Sequence, residues 1–244
     1  MTEAFEQAEA GLRARLEAVR GRIARAARKV GRDASEVKLI AVSKTHPGVV
    51  VREALTVGAR DFGENRVQEA AAKIEELGGA AREARWHLIG HLQSNKARRA
   101  VELFDCVHSI DDAALVSRLE RICAEQGRAT LDALVQVDLA GEKTKEGVGE
   151  DGLARVVEAF AGCERVRLVG LMTLPPFFDD AERVRPFFRR LRELRDEWHA
   201  RGAFGAGAGE LSMGMTNDFE TAVEEGATMV RVGTAVFGER EARR

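Results

Sequence analysis

VKLIAVSK, residues 37–44, is an almost unbroken apolar run that stops on a lysine. That is the pattern of a strand covered on both faces that hands over to a loop at Lys44. Seven more strand-like runs follow, at residues 59–63, 85–90, 105–110, 131–137, 166–172, 210–213 and 228–232, most with a helix-patterned stretch behind them. Such alternation predicts a parallel sheet with helical crossovers. The richest polar motifs fall at the ends of the strands, which points to an α/β fold, the (β/α)8 TIM barrel, with its chemistry at the C-terminal strand ends. The competing arrangement is an open doubly wound sheet, but no GxGxxG follows the first strand here.

Ahead of the barrel, Leu12, Leu16, Val19, Ile23 and Val30 recur near helical spacing. They predict an additional long N-terminal helix over residues 5–30, ended by Gly31, lying across the outside of the barrel or closing its N-terminal end. Asn65, Asp111 with Asp112, Asp151, and Thr216 or Asn217 are placed to start later helices, and Pro186 to sit in the first turn of another. The polar loop at residues 138–147 reads as solvent-facing and mobile. No stretch remains for a second domain, so residues 1–244 read as one barrel domain with residues 1–31 as a helix packed on it.

A formal net charge of -2 and a pI near 6.3 give no global attraction to nucleic acid or to an anionic membrane surface. No apolar run approaches membrane-spanning length, and the charged N-terminal helix is unlike a signal peptide, so the expected location is cytoplasmic. Cys106, Cys123 and Cys163 have no metal-ligand spacing. There is no tyrosine, which removes any mechanism that needs a phenolic acid or base. Seven lysines stand against thirty-one arginines, so a lysine at a strand end is less readily dismissed as solubilising charge.

Lys44 either meets solvent or forms a Schiff base with an aldehyde; the second role needs a neutral amine in a poorly hydrated or electropositive pocket. The ends of strands seven and eight carry Ser212, Gly214, Gly233 and Thr234, hydroxyls and small residues where barrels commonly hold phosphate, although such residues also form ordinary turns. Arg231 ends an apolar strand and must face an acceptor, either a structural carboxylate or a ligand ring nitrogen. Asn65, His87 and His91 sit at the ends of strands two and three, and Met172 and Thr173 at the end of strand six. Hydrogen-bonding roles are expected of the histidines, with no metal site. The basic run Lys96, Arg98, Arg99 has no interleaved aromatics and reads as a solvated face.

The motifs AVSKTHP, FGENRVQE, WHLIGHLQSNK, GLMT, LSMGMTND and VRVGTAVFG, in this order from residue 37 to residue 238, resemble the YggS/PROSC family of pyridoxal 5'-phosphate-binding proteins, also called pyridoxal phosphate homeostasis proteins. The resemblance implies a monomeric or weakly associating barrel, similar to the N-terminal domain of alanine racemase, that holds pyridoxal 5'-phosphate as an internal aldimine on Lys44. It assigns the phosphate to the segment around Ser212 and Gly214 and to Gly233 and Thr234, sets Arg231 against the pyridine nitrogen, and puts Asn65, His91 and Met172 around the cofactor. Thr216 stands where a serine is more usual. The family is understood as non-catalytic, acting in vitamin B6 and amino-acid homeostasis, with apo-enzymes that receive the cofactor as partners. The alternatives are a cofactor-dependent amino-acid racemase or aldolase, whose second base would have to come from His87 or His91, and a Schiff-base aldolase working without cofactor.

Overall fold

The computed structural model describes residues 2–141 and 146–238. Eight parallel strands close into a barrel in strict chain order: β1 (Lys38–Val42), β2 (Asp61–Glu64), β3 (Arg85–Leu88), β4 (Cys106–Ile110), β5 (Leu131–Gln136), β6 (Val166–Met172), β7 (Glu210–Ser212) and β8 (Met229–Val232). β8 returns to β1 through the pairs Lys38 with Met229 and Ile40 with Arg231. The predicted (β/α)8 barrel is therefore the observed fold, and each strand lies within about a residue or two of its expected bounds, β6 with both ends as expected. Residues 142–145 of the loop expected to be mobile lie outside the described residues.

Strand alternation splits the side chains into two populations. Trp86, Leu88, Val107, Ala133, Val135, Leu171, Leu211, Val230 and Val232 point outward and join the helices in the main apolar cluster. Their sequence neighbours point into the barrel: His87, His108, Gln136, Ser212 and Arg231, all buried, with a small apolar patch of Cys106, Leu134 and Met172. The greasy core of this protein is thus the annulus between sheet and helices, and the lumen is largely polar.

The outer ring holds α2 (Gly48–Thr56), α3 (Val67–Leu77), α4 (Ala97–Leu103), α5 (Ala113–Gln126), α6 (Glu150–Glu158), α7 (Arg185–Ala200), α8 (Phe219–Glu224) and α9 (Thr234–Phe237). α9 is a single turn and cannot cover β8 and β1 by itself. The long N-terminal helix α1 (Thr2–Lys29) fills that gap, packing against α2, α8 and α9. It buries Leu12, Leu16, Val19, Ile23, Ala26 and Ala27. Arg15 Nε donates to the Val236 carbonyl at 2.8 Å, and Arg22 pairs with Glu220 at 2.7 Å while lying over the Phe219 ring. Of the two expected positions for this helix, the structure takes the outside of the barrel. Val30 falls beyond the helix end and is 43% exposed, so it does not continue the stripe. No helix among the described residues is long and apolar enough to cross a membrane.

Four expected helix starts differ in detail. Arg66, Asp112, Gly149 and Asp218 occupy the positions before α3, α5, α6 and α8, none with a side-chain capping bond to its helix. Asn65 lies one residue too early, Asp151 lies inside the first turn, and Thr216 and Asn217 belong to the preceding loop. Pro186 does sit in the first turn of α7.

β6 and β7 approach so closely that a Cβ at Gly170 would lie 2.0 Å from the Glu210 carbonyl oxygen. Gly170→Ala should therefore destabilise the barrel by about 1–3 kcal/mol in a urea melt. Gly79→Ala is the control, expected to be near neutral because nothing lies within 4 Å of its added carbon.

Candidate functional site

The loops at the C-terminal strand ends enclose a cavity of about 620 Å³, within the about 300–1,000 Å³ usual for small-molecule sites. Lys44 enters it from β1, Asn65 from β2, Ile89 from β3, and Gln136 from β5. The β6 loop adds Leu174, Pro175 and Phe177, and the β7 loop adds Met215 to Asp218. Arg231, Gly233 and Thr234 complete the wall from β8. Phe177 is 70% exposed, leaving an apolar rim beside the opening. A larger groove of about 1430 Å³ lies at the other end of the strands, by Trp198, Arg201 and the glycine-rich stretch 202–209. It contains no lysine, and its five arginines are engaged: Arg192 with Glu225, Arg195 with the Gly209 carbonyl, Arg32 with Glu36, Arg167 with Asp132, and Arg201 over the Trp198 ring.

Lys44 is half-buried and makes no hydrogen bond or ion pair among the described residues. Its position is set by the residues on either side. Thr45 has φ 68°, the only positive-φ non-glycine among the described residues, and such a conformation in a β-branched residue costs on the order of 1–3 kcal/mol. The Ser43 carbonyl holds this turn from below, accepting the His46 N–H at 3.0 Å and Lys73 Nζ at 2.6 Å. Lys73, from the inner face of α3, also donates to Glu64 Oε1 at 2.5 Å, which accepts Ser43 Oγ–H at 2.6 Å. Burial pushes the Glu64 carboxyl up, while Lys73 and Ser43 oppose that rise. Among the described residues Glu64 Oε2 has no hydrogen-bond partner. This buried trio was not singled out from the sequence, where nothing local marks Lys73 as a partner of Glu64.

Asn65 reaches the cavity because Gly90 allows it. A Cβ on Gly90 would lie 2.3 Å from the Asn65 carbonyl oxygen, so only glycine lets the ends of β2 and β3 pass this closely.

Arg231 is 3% exposed and lies at the base of the cavity. It donates to Ser212 Oγ at 2.6 Å and to the Thr173 carbonyl at 2.9 Å. Neither acceptor is a carboxylate, so of the two expected partners, the structural salt bridge is not what holds it. Burial pulls the guanidinium down to about 10, and the charge of Asp218 works against that fall. Asp218 itself is pushed up by burial while its Oδ1 accepts the Met215 N–H at 2.6 Å.

The structure thus brings Lys44, Asn65, Arg231, Gly233 and Thr234 to one cavity wall. Four other sequence-predicted residues do not line it. Ser212 is fully buried, its hydroxyl committed to Arg231 and to His108 Nδ1 at 2.8 Å. Met172 is sealed in the small lumen patch. His91 lies outside, 38% exposed, with its Nδ1 3.6 Å from Asp111 and 4.0 Å from Glu146. Gly214 shapes the β7 loop from behind: its φ is 91°, and a Cβ there would meet the Ala222 Cβ at 2.6 Å. His87 is fully buried inside the lumen, away from the cavity. Thr216 and Asp218 line it from the strand-seven motif LSMGMTND, and Gln136 is a lining residue that the sequence did not single out.

His87, Cys106 and His108 place their ligand atoms within 4.8 Å of one another. The two imidazoles spend their facing nitrogens on each other at 2.9 Å, and burial holds the Cys106 thiol protonated. Hydrogen bonding, as expected of His87, is what the geometry shows for it, and His108, which the sequence did not single out, shares it.

Comparison with known proteins gives concordant results. Residues 14–241 match the family model described as alanine racemase, N-terminal domain. The chain is 42% identical over 227 residues to a pyridoxal phosphate homeostasis protein of Aquifex aeolicus, covering 93% of this chain and 97% of that one. It is 40% identical over 229 residues to the protein of the same name in Escherichia coli K12, covering 91% and 94%. PipY of Synechococcus elongatus, solved with PLP bound, superposes with a TM-score of 0.81 at 40% identity, covering 93% of this chain and all of PipY.

Removing Lys73 would strand the Glu64 charge inside the protein. Lys73→Ala should cost about 3–5 kcal/mol in a denaturant melt, and the double substitution Lys73→Met with Glu64→Gln should recover a large part of it.

Proposed function

The chain belongs to the pyridoxal phosphate homeostasis protein family, and from that premise we propose that its barrel-mouth cavity holds pyridoxal 5'-phosphate covalently at Lys44. The observation that carries this reading is a lysine without any protein partner among the described residues, in the same cavity as a buried cation and the hydroxyls of Thr216 and Thr234.

The donor set fits the group. Lys44 Nζ can join the aldehyde carbon with loss of water, and among the described residues no carboxylate within ion-pair distance holds it as a salt bridge. Thr216 and Thr234 offer hydroxyl donors for the phosphate, and Gly233 brings backbone close to it. Gly214 contributes by shaping the loop that carries Thr216. Ser212 and Met172 act one layer deeper, Ser212 through Arg231. His91 belongs to the rim, where it can meet whatever enters.

When bound, pyridoxal phosphate supplies an aldehyde that exchanges amines and a ring that accepts electrons. Arg231, a permanent donor, would keep a facing ring nitrogen unprotonated and so weaken that electron uptake. The reading is therefore a carrier and buffer of vitamin B6 inside the cell, a single barrel domain working as a monomer in the cytoplasm without turnover and releasing cofactor to apo-enzymes. The lack of tyrosine supports it, as does the placement of His87 and His91 off the cavity wall.

One observation keeps a second reading alive. Asp218 lines the cavity and its carboxyl is pushed up by burial, so a racemase or aldolase of amino acids would draw its base from there. A chiral assay across the amino acids is expected to show no rate above that of free cofactor. Turnover lost in both Lys44→Ala and Asp218→Asn would establish the enzyme instead.

Protein given pyridoxal 5'-phosphate should gain an absorbance band near the visible edge, and borohydride followed by mass mapping should find the label on Lys44. Label on another lysine, or none in saturated protein, defeats the assignment. Thr234→Ala should weaken cofactor binding about tenfold without lowering the melting temperature of cofactor-free protein.

A further inference from the structure

Five side chains form one hydrogen-bonded line through the lumen. Asp61, at the start of β2, has its side chain 24% exposed at the end of the barrel away from the cavity. Its Oδ1 lies 3.0 Å from His87 Nε2. His87 Nδ1 is 2.9 Å from His108 Nε2, and His108 Nδ1 is 2.8 Å from Ser212 Oγ. Ser212 Oγ in turn receives Arg231 at 2.6 Å, and Arg231 lines the cavity.

Only one arrangement of protons satisfies this line. Arginine has donors and no acceptor, so Ser212 Oγ accepts from Arg231; its own O–H, buried and with no other acceptor among the described residues, is left to donate to His108 Nδ1. His108 then carries its proton on Nε2 and donates to His87 Nδ1. His87 likewise carries its proton on Nε2 and donates to Asp61, an acceptor when ionised. Both ends dictate the same direction, from cation to anion. The line needs both rings neutral, and their surroundings agree. Burial pulls His87 down, although Asp61 and Asp105 oppose that and Arg85 adds to it. Burial pulls His108 far down, and the charges of Arg231, Arg85 and Lys38 add to that fall.

We propose that Asp61, His87, His108 and Ser212 are positioning residues whose polarised hydrogen-bond chain holds Arg231 as a fixed cation directed into the cavity. The inference rests on the function proposed above only for the ligand's identity, a ring acceptor together with an anionic tail. A carboxylate bonded directly to Arg231 would fix it equally well, but would cancel its charge where an anionic ligand has to bind. The chain moves the bonded countercharge to the far end of the barrel. Asp218 acts on Arg231 only through space, since its Oδ1 is engaged by the Met215 N–H. A ligand atom that accepts from Arg231 strengthens every bond behind it, because donors and acceptors in a line polarise one another.

The test begins with the full-length protein carrying 15N-labelled histidine, without cofactor and with no substitution that could unfold it. His87 and His108 are expected as neutral rings protonated on Nε2, unchanged on acidification through the range in which a free imidazole becomes charged. A ring protonated on Nδ1, or one that titrates like an exposed histidine, overturns the chain. Displacement of both rings' signals by added zinc overturns it in favour of a metal centre with Cys106. The second arm uses Asp61→Asn, at the partly exposed end. Its melting temperature is expected to stay close to that of the parent, while its Kd for pyridoxal 5'-phosphate rises about fivefold. A merely structural carboxylate at that end would not move the affinity, so an unchanged Kd refutes the positioning role. Parent protein that binds no pyridoxal 5'-phosphate, yet shows both rings in the expected form, defeats the cofactor reading and supports the chain.

Discussion

A charge placed inside a closed barrel must be answered from inside it. The lumen of eight strands is filled by side chains, so a buried guanidinium, ammonium or carboxylate that found no partner would cost several kcal/mol. In this protein that demand organises everything between the two mouths. Arg231 is answered by Ser212 and Thr173, and the bottom of the lumen by Arg85 and Arg167 converging on Asp132, while on the helix-facing side of β2 Glu64 is answered by Lys73 and Ser43. Lys38 and Glu210 close that end. None of these pairs is needed to hold the sheet together, a task carried by the apolar annulus outside it. What they fix is where the polar groups at the cavity point.

Two of the arrangements converge on the cavity by different routes. The Lys73, Glu64 and Ser43 trio grips the carbonyl one residue before Lys44, and the left-handed Thr45 turns the chain away immediately after it. Lys44 is therefore held at its backbone while its amine remains uncommitted. Arg231 is the reverse case, a side chain whose bonds to the protein come from behind and whose remaining donors are left for the cavity. One group is presented as a reactive amine and the other as a fixed cation, within the same few strand ends. The backbone that carries them is positioned by contacts that tolerate no added carbon, Gly90 against Asn65 and Gly214 against α8.

The long N-terminal helix serves the same end from outside. A one-turn α9 leaves the seam between β8 and β1 uncovered, and this seam carries Arg231, Gly233 and Lys44. α1 supplies the missing apolar face there and is tied to α8 and α9 by Arg22 and Arg15.

Hydrophobic periodicity was enough to read the eight strands, their order of alternation with helices, and α1, because each of those patterns is local and repeats. It also brought out Lys44, Arg231, Gly233, Thr234 and Asn65, since a polar residue ending an apolar strand stands out against its run. Local chemistry misled at the helix starts, where Asn65 and Asp151 have the composition of caps but sit out of phase with the backbone. It misled again at Ser212, whose hydroxyl resembles a surface donor until the pleat turns it inward beneath Arg231. The line from Asp61 to Arg231 joins residues up to 170 positions apart in chain order, on β2, β3, β4, β7 and β8. No window of sequence contains it. Composition and period determined that a barrel would form and which strand ends would carry chemistry. Only closure of the barrel decided which of the inward groups meet one another, because their partners are set by strand stagger across the lumen and not by distance along the chain.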